Sequence, residues 1–321
     1  MKKQMIKRCL YCYTPLSENE IDFHAGCSKK IFGQPVPPEL PYTENKLEDV
    51  AMQVIQSRMT VTGVQPKLSL HITKGENKND PRRFTIVGLW GGYILKPASV
   101  HYPQLPEVED LTMHLATIAK IKTVPHSLIR MKSGNLAYIT KRIDRNKKNK
   151  LHMEDMCQLT ERLTEDKYHG SYEQIAKAIV KYSVNPGLDL VNFFEQLLFS
   201  FLTGNADMHL KNFSLINEPG TGYTLTPAYD MVSTALVNPK DDEELALTLN
   251  GNKKKINRND FIACFNNMKL GIKQQENIFK KMEKAKRNWF DFVDISFLGN
   301  DFKLAYKTLI EKKFAQVGIK F

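Results

Sequence analysis

The stretch Leu202–Phe213, LTGNADMHLKNF, decides how the rest of the chain is read. It sets an acid, Asp207, five positions before an amide, Asn212, inside a short polar segment. An apolar run with helical spacing precedes it (Phe193, Phe194, Leu197, Leu198, Phe201), and Gly204 closes that run. Phe213–Ile216, which follows, has the composition of a strand. Gly, Asn and Asp are ordinary capping and turn residues, so a polar turn after a helix accounts for the stretch. The Asp-x4-Asn spacing also suits phosphoryl transfer, in which the acid accepts a hydroxyl proton and the amide reaches a magnesium ion. On these residues alone the two readings stand even.

Composition narrows the classes. A chain of 321 residues with 42% hydrophobic content builds a real core and suits one large domain or two lobes. Lys+Arg 46 against Asp+Glu 35 gives a net charge of +11, but the lysines are scattered. Short runs occur at Lys147–Lys148 and Lys253–Lys255, without a recognition-helix signature or an aromatic stacking set. Direct nucleic-acid binding is therefore not expected. No run of about 18 apolar residues is present, so no membrane-spanning helix is expected. The start, MKKQMIKRCLYC, lacks an apolar stretch of signal-peptide length. The expected compartment is the cytoplasm, with export by a signal-less route left open.

Five cysteines, three of them near the N-terminus, do not make a disulfide framework. Cys9-Leu-Tyr-Cys12 and His24-Ala-Gly-Cys27 form instead a C-x2-C…H-x2-C pattern with eleven residues between the pairs. Thiolates and an imidazole at this spacing close a tetrahedral zinc site of structural type, since no position stays open for chemistry. The alternative is a reduced segment without metal. Phe32–Tyr42, FGQPVPPELPY, reads as a stiff linker without a ladder of hydrogen bonds.

Further along, TVTGVQPKLSL (60–70) has alternating apolar residues around a glycine turn that carries Lys67. Backbone amides in such a turn hold phosphate oxygens, although any hairpin has one. Arg83–Val87 and Gly92–Leu95 read as strands, the second running into Lys96. Glu107–Lys120 reads as a helix with Glu107 and Glu109 in its first turn. A strand lysine paired with a helix glutamate orients nucleotide phosphates, while glutamates there also simply complement the helix dipole. Leu136–Arg145 reads as a strand running out into charge, and the pattern turns helical from about Leu151. After the polar loop, Phe213–Ile216 and Tyr223–Thr226 read as strands leading to Pro227-Ala-Tyr-Asp230. Asp230 stands where a second magnesium-binding acid belongs, or where a turn or N-cap Asp does.

The ordered set of glycine turn, Lys96, helix glutamate, Asp207/Asn212 and Asp230 resembles the HipA family of bacterial serine/threonine kinases. TVTGVQPKLSL (60–70), YILKP (93–97), LAYITKRIDR (136–145), GNADMHLKNFSL (204–215) and YDMVS (229–233) carry the resemblance. It implies an α+β, two-lobed protein-kinase-like fold, with a β-rich N-lobe at 41–143 and a mainly helical C-lobe at 144–321. The Cys/His segment and the proline-rich linker occupy 1–40. It implies Asp207 as catalytic base, Asn212 and Asp230 as Mg²⁺ ligands, and Lys96 on the phosphates of ATP. Thr62, Gly63, Val64, Gln65 and Lys67 correspond to the phosphate-covering loop. Lys141, Arg142 and Ile143 match the adenine-contacting hinge, followed by Asp144, and His209 and Lys211 fall beside the nucleotide.

Family members autophosphorylate a hydroxyl near the glycine, which points to Thr60 or Thr62, where serine is usual. The chain departs from eukaryotic-type kinases: neither G-x-G-x-x-G nor D-F-G occurs, and Met231 follows Asp230. With about sixty residues before the glycine turn, it is similar to the short members, HipT-type toxins and the cell-translocating kinase A. The implied partners are a protein substrate with Ser or Thr and small HipS- or HipB-like antitoxin proteins. A translation-directed toxin, an exported effector kinase, a non-catalytic nucleotide-binding module and a small-molecule or lipid kinase remain the competing functional classes.

Overall fold

A five-stranded antiparallel sheet with runs of buried apolar residues builds the first half of the molecule. The computed structural model describes residues 7–47, 67–74, 81–88, 90–146 and 149–319. Strand β1 (Leu68–Thr73) buries Leu68 and Leu70 and exposes His71. It pairs antiparallel with β2 (Arg83–Ile86) and with β3 (Tyr93–Lys96). β3 pairs in turn with β5 (Leu136–Lys141), in a register that sets Lys96 opposite Tyr138, and β5 pairs with β4 (His126–Arg130). The antiparallel order is β2-β1-β3-β5-β4. β3 is therefore the central strand, with partners on both edges.

Helix α1 (Ala25–Phe32) packs on this sheet through Phe32, whose ring meets Phe84 edge-on at 5.7 Å. The Tyr93 hydroxyl donates to the Ile31 carbonyl at 3.1 Å. The stretch expected to be a linker without ladder bonds departs from that reading. Glu39 donates its N–H to the Arg82 carbonyl at 2.9 Å and accepts from the Phe84 N–H at 2.8 Å. Proline removes a donor only at its own nitrogen, so the non-proline Glu39 still pairs. β5 also ends earlier than expected, at Lys141 rather than Arg145.

The chain divides into two compact units. One comprises residues 1–110, 124–143 and 295–297, and the other 111–123, 144–294 and 298–321. Residues 7–40 thus fall in the same unit as the five-stranded sheet, and the division passes inside α2 (Leu105–Ile118).

The second unit is organised by a helix whose last ten residues, Phe193–Leu202, are all buried. In the element order, α3 (Met156–Leu159) and α4 (Tyr172–Tyr182) come before α5 (Pro186–Leu202). α5 starts with Pro at its first position, where a missing N–H costs nothing. Phe193, Phe194, Leu197, Leu198, Phe199, Phe201 and Leu202 are all fully buried, so α5 is the core rather than a lid on it. Each such side chain contributes about 1.5–3 kcal/mol. After α6 (Thr234–Val237), its neighbours are α7 (Arg258–Asn267), α8 (Ile272–Asp294) and α9 (Asn300–Gln316). Phe194 packs on Phe265, Phe201 on Phe261, and Phe199 edge-on against Trp289. The Trp289 indole N–H is satisfied by the Leu115 carbonyl at 2.9 Å.

Beside these helices, β8 (His152–Asp155), β9 (Ser214–Glu218) and β10 (Gly222–Leu225) form an antiparallel sheet in the order β10-β9-β8. β8 corrects the expectation of helix from Leu151. As a strand at the sheet's edge, it carries no fully buried residue and hence no apolar alternation to read. A two-stranded ladder, β6 (Arg145–Asn146) with β7 (Asn149–Lys150), precedes it. Among the described residues no helix is long and apolar enough to cross a membrane.

α5 ends in a Schellman motif. The Asn205 N–H donates to the Ser200 carbonyl at 2.8 Å and the Gly204 N–H to the Phe201 carbonyl at 3.2 Å, with Gly204 at φ +69. A Cβ at Gly204 would stand 2.8 Å from Leu309 Cδ2 and 3.1 Å from Ala235 Cβ. Gly204→Ala is expected to lower stability by about 1–2 kcal/mol, read as a lower urea midpoint with unchanged slope. An unchanged midpoint would contradict this account of how the loop is launched.

Candidate active site

The polar loop begins where α5 stops, and its backbone is fixed from several sides. The Ala206 N–H donates to the Thr234 hydroxyl at 2.8 Å and the Ala235 N–H to the Gly204 carbonyl at 3.0 Å. The Leu210 N–H donates to the Lys167 carbonyl at 3.1 Å, and the buried Tyr172 hydroxyl to the Met208 carbonyl at 3.1 Å. Met208 and Leu210 are fully buried, so they anchor the loop on either side of His209, with Asp207 just before them and Lys211 and Asn212 just after.

Asp207 and Asn212 are joined directly. The Asn212 side-chain amide donates to the Asp207 carbonyl at 2.9 Å, and the Asp207 N–H donates to the Asn205 side-chain oxygen at 3.2 Å. The Asp207 carboxylate accepts a hydrogen bond from the Tyr168 hydroxyl at 2.6 Å. Burial, then the Asp207 charge, push the Tyr168 hydroxyl above its ordinary value, with Asp230 adding to the shift. Tyr168 therefore stays a donor to Asp207 at neutral pH. His209 is buried, with its ring edge-on to Tyr168 at 5.0 Å. Asp230 sits at φ +59, in the left-handed region, between Tyr229 and the fully buried Met231. The Tyr229 hydroxyl donates to the Lys211 carbonyl at 3.0 Å, which ties the two acidic segments together.

Lys211 is itself held by an ion pair. Its ammonium pairs with Asp155 at 2.6 Å, and Asp155 also caps α3 through the Gln158 N–H. Asp144 is buried and pairs with the guanidinium of Arg145 at 2.5 Å. Tyr168 and Asp155 were missed in the sequence. A lone Tyr beside a turn and an Asp on an edge strand carry no local signal of what they touch.

In the sheet unit, Lys96 is 4% exposed and Glu109 is 1% exposed, and their charged atoms stand 2.5 Å apart. The Lys96 ammonium also lies 5.4 Å from the centre of the Tyr138 ring. Of the two glutamates, Glu109 is thus the lysine's partner, whereas Glu107 occupies the first turn. Burial, then the nearby Asp110 charge, hold the Glu107 carboxyl above its ordinary value. Asp110 itself accepts from the Tyr13 hydroxyl at 2.7 Å and contacts His126 Nδ1 at 2.7 Å.

The N–H groups of Lys141 and Arg142 are occupied by the carbonyls of Pro125 and Gly92, both at 2.9 Å, and Ile143 follows them. Lys67 is exposed just before β1. Thr60, Thr62, Gly63, Val64 and Gln65 lie outside the described residues, as do Lys147 and Lys148. Near the N-terminus, the ligand atoms of Cys9, Cys12, His24 and Cys27 all lie within 4.8 Å of one another.

A family model described as the HipA-like C-terminal domain matches residues 59–289. A Haemophilus influenzae protein with a provisional kinase name is 34% identical over 248 residues, 71% of this chain and 68% of that protein. The serine/threonine-protein kinase toxin HipA of Shewanella oneidensis is 27% identical over 213 residues, 60% of this chain and 47% of that protein. The chain therefore spans about two thirds of the first relative's length and under half of the second's. Among solved structures, Shewanella HipA from its complex with HipB and operator DNA aligns over 88% of this chain and 74% of its own. The TM-score there is 0.66 at 22% identity. The Helicobacter pylori proinflammatory kinase CtkA aligns over 70% of this chain and 87% of its own, with a TM-score of 0.51 at 16% identity. Both likenesses show the fold: α+β and kinase-like.

The Lys96–Glu109 pair generates a stability prediction. Removing one partner of a buried ion pair costs about 3–5 kcal/mol, because the remaining charge keeps its desolvation penalty. Glu109→Ala should show that loss in chemical denaturation, and Lys96→Met with Glu109→Leu together should recover most of it. Equal losses in the single and double variants would contradict the pairing.

Proposed function

The chain belongs to the HipA-like C-terminal domain family, and on that premise we propose that it is an ATP- and Mg²⁺-dependent serine/threonine protein kinase. The observation that carries the reading is the bond between the Asn212 amide and the Asp207 backbone, which holds acid and amide as one unit at kinase-loop spacing. The bland alternative, a helix cap followed by a turn, describes how the loop starts but does not require this pairing.

In this reading Asp207 orients the protein hydroxyl and accepts its proton. The hydroxyl oxygen bonds to the γ-phosphorus as the bond to ADP breaks. Asn212 and Asp230 offer the oxygen donors that suit Mg²⁺, whose charge neutralises the phosphate oxygens. Lys96, oriented by Glu109, is assigned to the nucleotide phosphates, with Thr62, Gly63, Val64, Gln65 and Lys67 as the phosphate-covering loop. Tyr168 acts on Asp207 by donating to its carboxylate, so it positions the base. The protein supplies positioning and charge, which is most of what phosphoryl transfer needs.

Self-phosphorylation at Thr60 or Thr62 is the regulatory step this reading includes. Phosphate there adds about −1.5 to −2 charges beside the segment assigned to nucleotide phosphates and disfavours nucleotide binding. A toxin-type kinase held by a small antitoxin is the biological setting supported by the Shewanella relative, a named HipA toxin. The solved Shewanella HipA is in complex with HipB, which makes a HipB- or HipS-like protein the partner class to try first.

Asp207→Asn should lower phosphate transfer to a generic serine/threonine substrate by about 10²–10⁴-fold, the usual contribution of a positioned base. Its thermal midpoint should stay that of the wild type. Transfer at the wild-type rate would remove Asp207 from the role of base.

A further inference from the structure

The four residues Cys9, Cys12, His24 and Cys27 are brought together by two different local structures. Cys9 and Cys12 flank a tight knuckle in which the Tyr13 N–H donates to the Cys9 carbonyl and the Cys9 N–H to the Thr14 carbonyl, both at 2.9 Å. Tyr13 takes φ +65 to make that turn, and Arg8 and Pro15 bridge below it. His24 and Cys27 come from the start of α1, as its N-cap and third residue. The fold thus turns two short sequence pairs into one cluster.

We propose that this cluster is a structural site for one zinc ion. A tetrahedral centre with Zn–S of about 2.3 Å and Zn–N of about 2.0–2.1 Å places sulfur and nitrogen roughly 3.5 Å apart along each edge. Cys12 Sγ and Cys27 Sγ lie 3.4 Å and 3.8 Å from His24 Nδ1. The imidazole is already in the ligating tautomer. Its Nε2 stands 3.0 Å from the Pro15 carbonyl, which only accepts, so Nε2 carries the proton and Nδ1 turns its lone pair to the sulfurs. A second-shell carbonyl of this kind fixes ring orientation at zinc sites. Three thiolates with one imidazole form a soft donor set that selects zinc over hard cations. All four positions are filled by protein, which makes the site structural.

The knuckle is wired into the sheet unit. The Leu128 N–H and the Ser127 hydroxyl both donate to the Leu10 carbonyl, at 3.3 Å and 3.1 Å. Arg130 clamps Asp22 through both carboxylate oxygens at 2.7–3.0 Å. Tyr13, inside the knuckle turn, donates to Asp110, the residue after Glu109. The ion therefore holds the turn that braces the start of α2, where the partner of Lys96 sits.

The test uses the full chain, purified without added chelator. Elemental analysis should find one zinc per chain, and a cobalt-exchanged sample should show the intense visible bands of a tetrahedral thiolate site. Cys12→Ser and Cys27→Ser should each lose most of the zinc, while His24→Cys should keep it. A strong chelator should lower the wild-type thermal midpoint and raise hydrogen exchange over residues 8–32. A folded, metal-free wild type whose midpoint does not respond to zinc or chelator would overturn the proposal, as would a disulfide among these cysteines. Metal content is read without any activity, so the zinc site and the kinase reading fail independently.

Discussion

An ammonium group on the central strand of a sheet is the constraint on which the first unit depends. Taken from water alone, the Lys96 charge carries a penalty of several kcal/mol. The fold answers with Glu109, which obliges α2 to lie where its carboxylate reaches β3. The next residue, Asp110, extends the constraint to the N-terminal knuckle through Tyr13 and to β4 through His126. One helical turn thereby joins the central strand, an outer strand and the Cys/His segment. Local sequence offers no reason to connect these three elements, and the buried carboxylates supply it.

The second unit meets a different demand, which is to hold a polar loop still. Its solution is to end the most buried helix, α5, in a glycine-capped turn and then pin the next residues by their backbone. Thr234, Tyr172 and the Lys167 carbonyl each take one of those groups. Held in this way, Asp207 needs no apolar surroundings of its own. Its carboxylate is free to meet a hydroxyl, and in this structure that hydroxyl belongs to Tyr168.

Much of this could be read from the chain before its structure. Helix α4 is strongly amphipathic and capped by Ser171, so its buried face is written in the spacing of its apolar residues. The helically spaced apolar residues of α5 and the glycine after them announce both the core helix and the loop. The strand lysine was legible because charge at a strand position asks for a partner, although Glu107 and Glu109 were equal candidates until geometry chose. The rest was hidden for physical reasons. β8 is an edge strand without an apolar face, and Glu39 pairs from within a proline-rich stretch. Asp155 and Tyr168 act only across long sequence separations, on Lys211 and Asp207. Periodicity reports what a segment buries and says nothing of what a single polar side chain reaches.

The measurement that bears most directly on the central claim is incubation of the wild-type chain with Mg²⁺ and γ-phosphate-labelled ATP, followed by mass spectrometry of the protein and of added bacterial lysate. The account predicts phosphate on serine or threonine hydroxyls, with Thr60 or Thr62 among them. A chain that neither binds ATP nor transfers its label, in the lysate as well as alone, would contradict it.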